Sequence, residues 1–328
     1  MRLTRDGDLA VDFAALYRRF GQPNTAGRDV SGLAHYADLA AHIQDVTNEF
    51  LCDLLRFLGA RAGAEQVCYS GGVALNGIAN QHVIDALGID LQMNGSCEDN
   101  GTAIGAALAV GHARTGRRVT EPACDYYGRE YGAPSIEAAI AGAGARAERY
   151  APARTVDETA AALAAGAVVG WFQGRSEFGP RALGNRSILA DPRHPGMQAI
   201  LNQRVKGREA FRPFAPAVTE EAAARWFELD GPSPMMLRVV PVRARPSLPA
   251  VTHVDGSARV QTVSRDQNPR FHDLLTAFGR RTGVPVLLNT SFNVRGQPIV
   301  ETPDEAVSTF RDTEIDVLVL GDHVIAKR

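Results

Sequence analysis

Four polar segments carry residue types that bind anions, and each interrupts or follows an apolar run. The first, "RSEFGPRALGNRS", offers Arg175, Arg181, Asn185, Arg186 and Ser187. The second, "KGREAFRPF", offers Lys206, Arg208 and Arg212, and the third, "THVDGSAR", offers His253, Asp255 and Arg259. The fourth, "LLNTSFNVRG", sets Asn289, Thr290, Ser291 and Asn293 directly after apolar residues. Guanidinium, ammonium, hydroxyl and amide groups together match phosphate and carboxylate oxygens, bidentately where arginine takes part. For any one arginine a weak surface ion pair is the better account. Four such segments, each after an expected strand, instead predict a polyanion site at the carboxyl ends of strands. No nucleophile-and-base pattern accompanies them, so covalent catalysis is not the natural reading.

Lysine occurs only at Lys206 and Lys327, in a chain whose other cations are all arginine. A site that needs a compact, rotatable point charge would resist arginine's planar fork, which makes Lys206 a candidate; chance at a solvated position accounts for it equally well. In "EQVCYSGGVALNGIANQHVIDAL" a strand through Val67 to Tyr69, a Ser-Gly-Gly turn and a helix from about Val73 are predicted. That layout points free N–H groups at an anion, although plain αβ connections use glycine too. Glu98 and Asp99 precede a helix rich in Gly101, Ala103, Gly105, Ala106 and Ala107. Their carboxylates could simply cap it.

These segments need a scaffold. At 328 residues, 45% hydrophobic and with a net charge of −2, the chain has room for two domains and argues against non-specific nucleic-acid or membrane-surface binding. No apolar run is long enough to span a bilayer, the opening lacks a signal-peptide core, and Cys52, Cys68, Cys97 and Cys124 form no CxxC pair. A cytoplasmic protein with reduced thiols is expected. Leu39, Ile43, Val46, Phe50, Leu54 and Leu58 mark one helix face over residues 38–60. Residues 120–153 read as a connector. Beyond it the pattern predicts a helix over "TVDETAAALAAG", strands at "AVVGWF", "FRPFAPAV", "MMLRVVPV", "ARVQTV", "VPVLL" and "IDVLVLG", and helices near 197–205, 269–282 and 304–311. The arginine segment itself, with Gly179, Pro180 and Gly184, is expected to run as neither helix nor strand. The fold class is α/β with mixed sheets.

"YSGGVALNGIAN", "GWFQGRSEFGPRALGNRSILADPR", "KGREAFRPFAPAV", "HVDGSARVQTV" and "GVPVLLNTSFNVRGQPIVETPDEA" resemble, in order, the signature blocks of the NodU/CmcH-type O-carbamoyltransferases. The resemblance implies half of an actin-like ATPase-type domain over 1–119, a linker over 120–150, and a YrdC-like domain with a mixed twisted sheet over 151–328. It implies that carbamoyl phosphate and ATP, with Mg²⁺, give a carbamoyl-adenylate, and that the carbamoyl group passes to a hydroxyl of a natural-product or sugar-like acceptor. By motif, Arg181, Lys206, Arg212 and Ser291 would carry the chemistry. Asn185, Arg186, Arg208, His253, Asn289, Thr290 and Asn293 would line the nucleotide and phosphate site. Gly71, Gly72 and Asn76 match the nucleotide turn of the first domain, and Asp99, or its neighbour Glu98, matches an iron ligand.

The family's HxxxH pair has no counterpart, since none of the eight histidines has another four residues away. The resemblance therefore implies a split enzyme, with a separate chain supplying the first half of the actin-like domain and its HxxxH pair. Two other readings are a non-catalytic subunit that completes or regulates an assembly, and a role in tRNA threonylcarbamoylation. The near-neutral charge counts against the last.

Overall fold

The computed structural model describes residues 33–64, 66–118 and 125–327, with residues 2, 3, 9, 10, 12, 14, 15 and 18 before them. Cys124 lies outside the described residues. Contacts divide the chain into two compact units, Met1–Tyr69 with Asn76–Gln92, and Ser70–Leu75 with Met93–Arg328.

In the smaller unit Arg2–Leu3 (β1) pairs antiparallel with Leu9–Ala10 (β2). A long helix, Leu33–Ala62 (α1), leads to Gln66–Cys68 (β3), Gly77–Leu87 (α2) and Asp90–Gln92 (β4). Strands β3 and β4 pair in parallel. Helix α1 packs against α2. Its buried positions are Asn48, Leu51, Cys52 and Leu55. The face expected from periodicity is not the one buried, since Ile43 is 57% and Leu58 45% exposed. Helix α2 starts only at Gly77, because the Asn76 side chain caps it by accepting from the Ala79 N–H at 3.2 Å.

The larger unit contains Gly101–Thr115 (α3), Ala133–Gly142 (α4), Glu148–Arg149 (β5), Pro152–Ala164 (α5), Val169–Phe172 (β6) and Arg186–Ala190 (β7). Met197–Ile200 (α6) runs on as a π-helical turn, Leu201–Lys206. Then come Ala215–Thr219 (β8), Ala223–Trp226 (α7), Arg238–Pro241 (β9), Ser257–Val263 (β10), Pro269–Thr282 (α8), Val286–Ser291 (β11), Pro303–Asp312 (α9), Val317–Leu320 (β12) and His323–Ala326 (β13). The strands from β5 onward form one mixed sheet in the order β5-β13-β12-β6-β7-β11-β8-β10-β9. Neighbours β12–β6 and β8–β10 are parallel, and the other pairs antiparallel.

Alternation along the strands sorts the core onto two faces. Val169, Trp171, Leu189, Ala217 and Leu287 meet Val156, Ala160 and Leu163 of α5 and Phe271, Leu274 and Phe278 of α8. On the opposite face Phe172, Ile188, Val218 and Leu288 meet Ile136 and Ile140 of α4, Val307 and Phe310 of α9, and Leu201 and Val205 of the π-turn. The α/β class with a mixed sheet is as expected. Two expectations are corrected. The stretch read as a connector supplies α4, which buries Ile136 and Ile140, and β5, which pairs with β13. The arginine segment ends as β7, fully buried between β6 and β11, because "RSILA" follows its last glycine without a breaker.

Gly184, at the turn into β7, has φ +106, and a Cβ there would sit 2.2 Å from Phe271 Cδ1. Gly184→Ala combines a left-handed backbone with overpacking against α8, and should lower unfolding free energy by about 2–4 kcal/mol. Denaturant titration reads this; a loss under about 1 kcal/mol would mean the turn relaxes freely.

A candidate anion-binding site

Lys206 ends the π-turn, which Gly207 closes with φ 56. Such turns insert one extra residue into a helix and recur at functional sites. The side chain is only 4% exposed. Its ammonium donates to the Ser291 carbonyl, to Ser291 Oγ at 3.2 Å, and to Asn293 O and Oδ1 at 3.1 and 2.9 Å. No carboxylate pairs with it among the described residues. Burial, reinforced by the charge of Arg208, pushes its pKa down to about 7. Lys206, Arg208, Arg212, Ser291, Asn293 and Arg295 line a cavity of about 260 Å³. Five of these six were expected from sequence. Arg295 was not, although it stands two residues past Asn293 in the same segment.

A second group of cations adjoins the first through Arg208, whose Nε donates to Asn202 Oδ1 at 2.7 Å and whose guanidinium lies over Phe214. Arg259 feels burial first, then the charges of Arg181 and Arg208, and its pKa falls to about 9. Burial also lowers Arg181, with Glu98 and Cys97 opposing. The Nε donors of Arg181 and Arg259 are both buried without a partner. On β10 Arg259 and Gln261, two residues apart, share one face of the strand. Gln261 Oε1 accepts from Asn289 Nδ2 at 2.7 Å, while Asn289 also donates to the Ala182 carbonyl. Asn289 Oδ1 is left buried and unpaired. Thr290 is half-buried on β11 opposite Ile188. His253 meets Ser257 Oγ through Nδ1 at 3.0 Å, and its pKa is lowered by burial.

Two expected ligands turn inward. Arg186 is fully buried; its guanidinium donates to the carbonyls of Gln173, Gly174, Asn185 and Arg129 and stacks 3.6 Å from the Phe172 centroid. Asn185 donates to the Arg175 carbonyl and accepts from Gln173 and Asn268. Neither lines the cavity. A residue that sequence reading passed over, Glu177, sets this arrangement. Its Oε1 accepts from the backbone N–H groups of Leu183, Asn185 and Arg186 at 2.6, 2.9 and 3.4 Å, so residues 177–186 close on themselves.

The remaining expected positions are engaged locally. Gly71, with φ 110, donates to the Cys97 carbonyl at 2.6 Å, and Gly72 opens a 3₁₀ turn. The Asn76 amide is engaged by the α2 cap and by Gln44 Oε1. Asp99 is exposed, and its carbonyl accepts from Thr102. Among the described residues no three His, Cys, Asp or Glu groups converge as metal ligands. The residues present thus do not make an iron site around Asp99 or Glu98, because one carboxylate cannot fill the coordination sphere. No helix among the described residues is long and apolar enough to cross a membrane.

Residues 160–327 match the family profile described as carbamoyltransferase C-terminus, and residues 6–108 that described as carbamoyltransferase N-terminus. An uncharacterised protein of Synechocystis sp. is 43% identical over 320 residues, 88% of this chain and 52% of that one. The nodulation protein NolNO of Sinorhizobium fredii is 42% identical over 323 residues, 95% of this chain and 46% of that one. The 3'-hydroxymethylcephem-O-carbamoyltransferase of Amycolatopsis lactamdurans is 46% identical over 166 residues, 51% of this chain and 32% of that one. The chain thus spans about half the length of the first two relatives.

Lys206 makes anion binding depend on pH. With its pKa near 7, the empty site loses the ammonium's charge above that pH, while a bound anion favours the protonated form. Sulfate affinity should be flat below about pH 7 and weaken by up to about tenfold per unit above it. Lys206→Met should bind weakly at every pH, without the break. By linkage the lowered pKa costs stability that is fully felt below about pH 7 and is relieved between there and the ordinary 10.5. Calorimetric sulfate titration across this range checks the first statement, and a pH-independent wild-type affinity would refute it.

Proposed function

The chain belongs to the carbamoyltransferase family, and on that premise we propose that its larger unit joins carbamoyl phosphate and ATP as carbamoyl-adenylate. Carbamoyl phosphate yields its phosphate to water, and the resulting carbamate displaces pyrophosphate from the α-phosphorus of ATP. The carbamoyl group then passes to a hydroxyl of a sugar-like or natural-product acceptor, which loses its proton as AMP leaves. The observation that carries this reading is buried Lys206, with no carboxylate paired to it among the described residues, beside half-buried Arg181 and Arg259, whose Nε donors are buried and unpaired. Such charges are costly unless an anion completes them. Phosphoryl and adenylyl transfer need charge neutralised and oxygens aligned, with little covalent help from the protein.

In this reading Lys206, Arg208, Arg212 and Ser291 hold phosphate oxygens in the cavity, and Arg181 and Arg259 hold a second anionic group beside them. Mg²⁺ would enter with ATP and neutralise part of its phosphate charge. One relative's name specifies a hydroxymethyl acceptor, and a similar primary hydroxyl is the acceptor class proposed for this chain.

The adenylation half-reaction is testable without the acceptor. Carbamoyl phosphate should drive exchange of labelled pyrophosphate into ATP in the presence of Mg²⁺, and Lys206→Met and Ser291→Ala should slow it, Lys206→Met by about a hundredfold. Exchange within twofold of wild type in Lys206→Met would remove that residue from the site. Nucleotide binding with no exchange would favour the non-catalytic subunit instead.

A further inference from the structure

His253 stands in a tight turn whose geometry settles where its proton sits. Its N–H donates to the Ser257 carbonyl at 2.7 Å, and its carbonyl accepts from Gly256 at 2.9 Å. Gly256 has φ +84, and the Arg245 guanidinium lies where a Cβ would project, 2.2 Å away. Three side chains line up across the turn. Ser257 Oγ lies 2.7 Å from Asp255 Oδ1 and 3.0 Å from His253 Nδ1, and the Ser257 N–H also reaches Asp255 Oδ1 at 2.9 Å.

A hydroxyl has one hydrogen to give. Partial burial works against the charge of Asp255, but the two bonds from Ser257, with His253 beside them, take its carboxyl below the usual range. An ionised carboxylate only accepts, so the Ser257 hydrogen goes to Asp255. The hydrogen of the remaining bond must then come from Nδ1. Neutral His253 therefore carries its proton on Nδ1 and a lone pair on Nε2. Burial and Arg259 keep the imidazole neutral, with Asp255 opposing.

The charge of Arg259 reaches the imidazole, and those of Arg181 and Arg208 reach Arg259, so the acceptor belongs to a group of cations. Phosphate oxygens satisfy Arg181, Arg208 and Arg259 but offer nothing to an acceptor, whereas a carbamoyl group presents an N–H. We infer that Asp255 and Ser257 are positioning residues that hold His253 in the Nδ1–H form, and that Nε2 accepts a hydrogen bond from the substrate's carbamoyl amide. The amide half of this inference rests on the carbamoyl phosphate reading; the tautomer half does not.

Nitrogen-15 NMR of the histidine-labelled chain separates the two, with the His253 signals assigned by their loss in His253→Phe. At neutral pH the wild type should show the Nδ1–H tautomer, and Ser257→Ala, which removes the acceptor of that proton, should show a mixture. An Nε2–H tautomer or an imidazolium in the wild type overturns the inference. Carbamoyl phosphate and acetyl phosphate, which differ by an amino group in place of a methyl, test the amide. Wild type should prefer carbamoyl phosphate by about tenfold, a preference that His253→Phe abolishes and Ser257→Ala reduces. A merely structural role would weaken both ligands alike, and an unchanged ratio in His253→Phe overturns the amide half. If neither ligand binds while sulfate still does, the carbamoyl phosphate reading fails and takes the amide half with it, while the tautomer stands on its own spectrum.

Discussion

One buried carboxylate governs the course of the arginine segment. Glu177 has a pKa that burial pushes up and that the N–H groups of Asn185 and Leu183 pull back. By collecting three backbone donors on one oxygen it replaces the ladder that a segment broken by Gly179, Pro180 and Gly184 cannot form. The closure fixes where β7 begins. From there Arg186 turns under the Phe172 ring, and β7 lies between β6 and β11. Strand β11 in turn carries Asn289 and Ser291 to the site. Loosening this closure would shift the sheet and the anion-binding groups together.

The cations fall into two electrostatic kinds. Arg186 is wholly inside, its terminal nitrogens bonded to four carbonyls and its guanidinium under an aromatic face with only Nε unpaired, so its charge serves the fold. Arg181 and Arg259 keep unpaired Nε donors, and Arg259 feels the like charges of Arg181 and Arg208. Lys206 is satisfied by neutral oxygens alone, which bond the ammonium without cancelling its charge. The larger unit thus holds a local excess of positive charge in a chain whose net charge is −2. That excess weakens the empty site and strengthens its hold on an anion, because the folding cost is returned on binding.

Much of this was legible in the sequence. Helix α8 has the expected bounds, set by Pro269 after the Asn268 cap and by Gly283 at φ 77. The pairing of "KGREAFRPF" with "NTSFN" followed from residue types that share one chemistry, and the structure brings Lys206 onto Ser291 and Asn293. What stayed hidden depended on distance along the chain. Burial of Arg186 needs carbonyls from residues 129 and 173–174, which no local pattern announces. The buried face of α1 is set by α2 and not by its own apolar stripe. Glu177 looks like any solvated glutamate until the loop folds back on it.

The π-helical turn before Lys206 stores part of the site in chain length, with no mark in composition. A helix advances about 100° per residue, so the extra residue between Leu201 and Lys206 sets the bearing of the ammonium while Leu201 and Val205 stay in the core. Removing one residue there would leave every residue type in the cavity unchanged and still swing Lys206 away from β11. Insertions and deletions in this turn are therefore a more severe form of variation than substitutions, and a relative that differs here by a single residue in length would have lost the contact while keeping the motif.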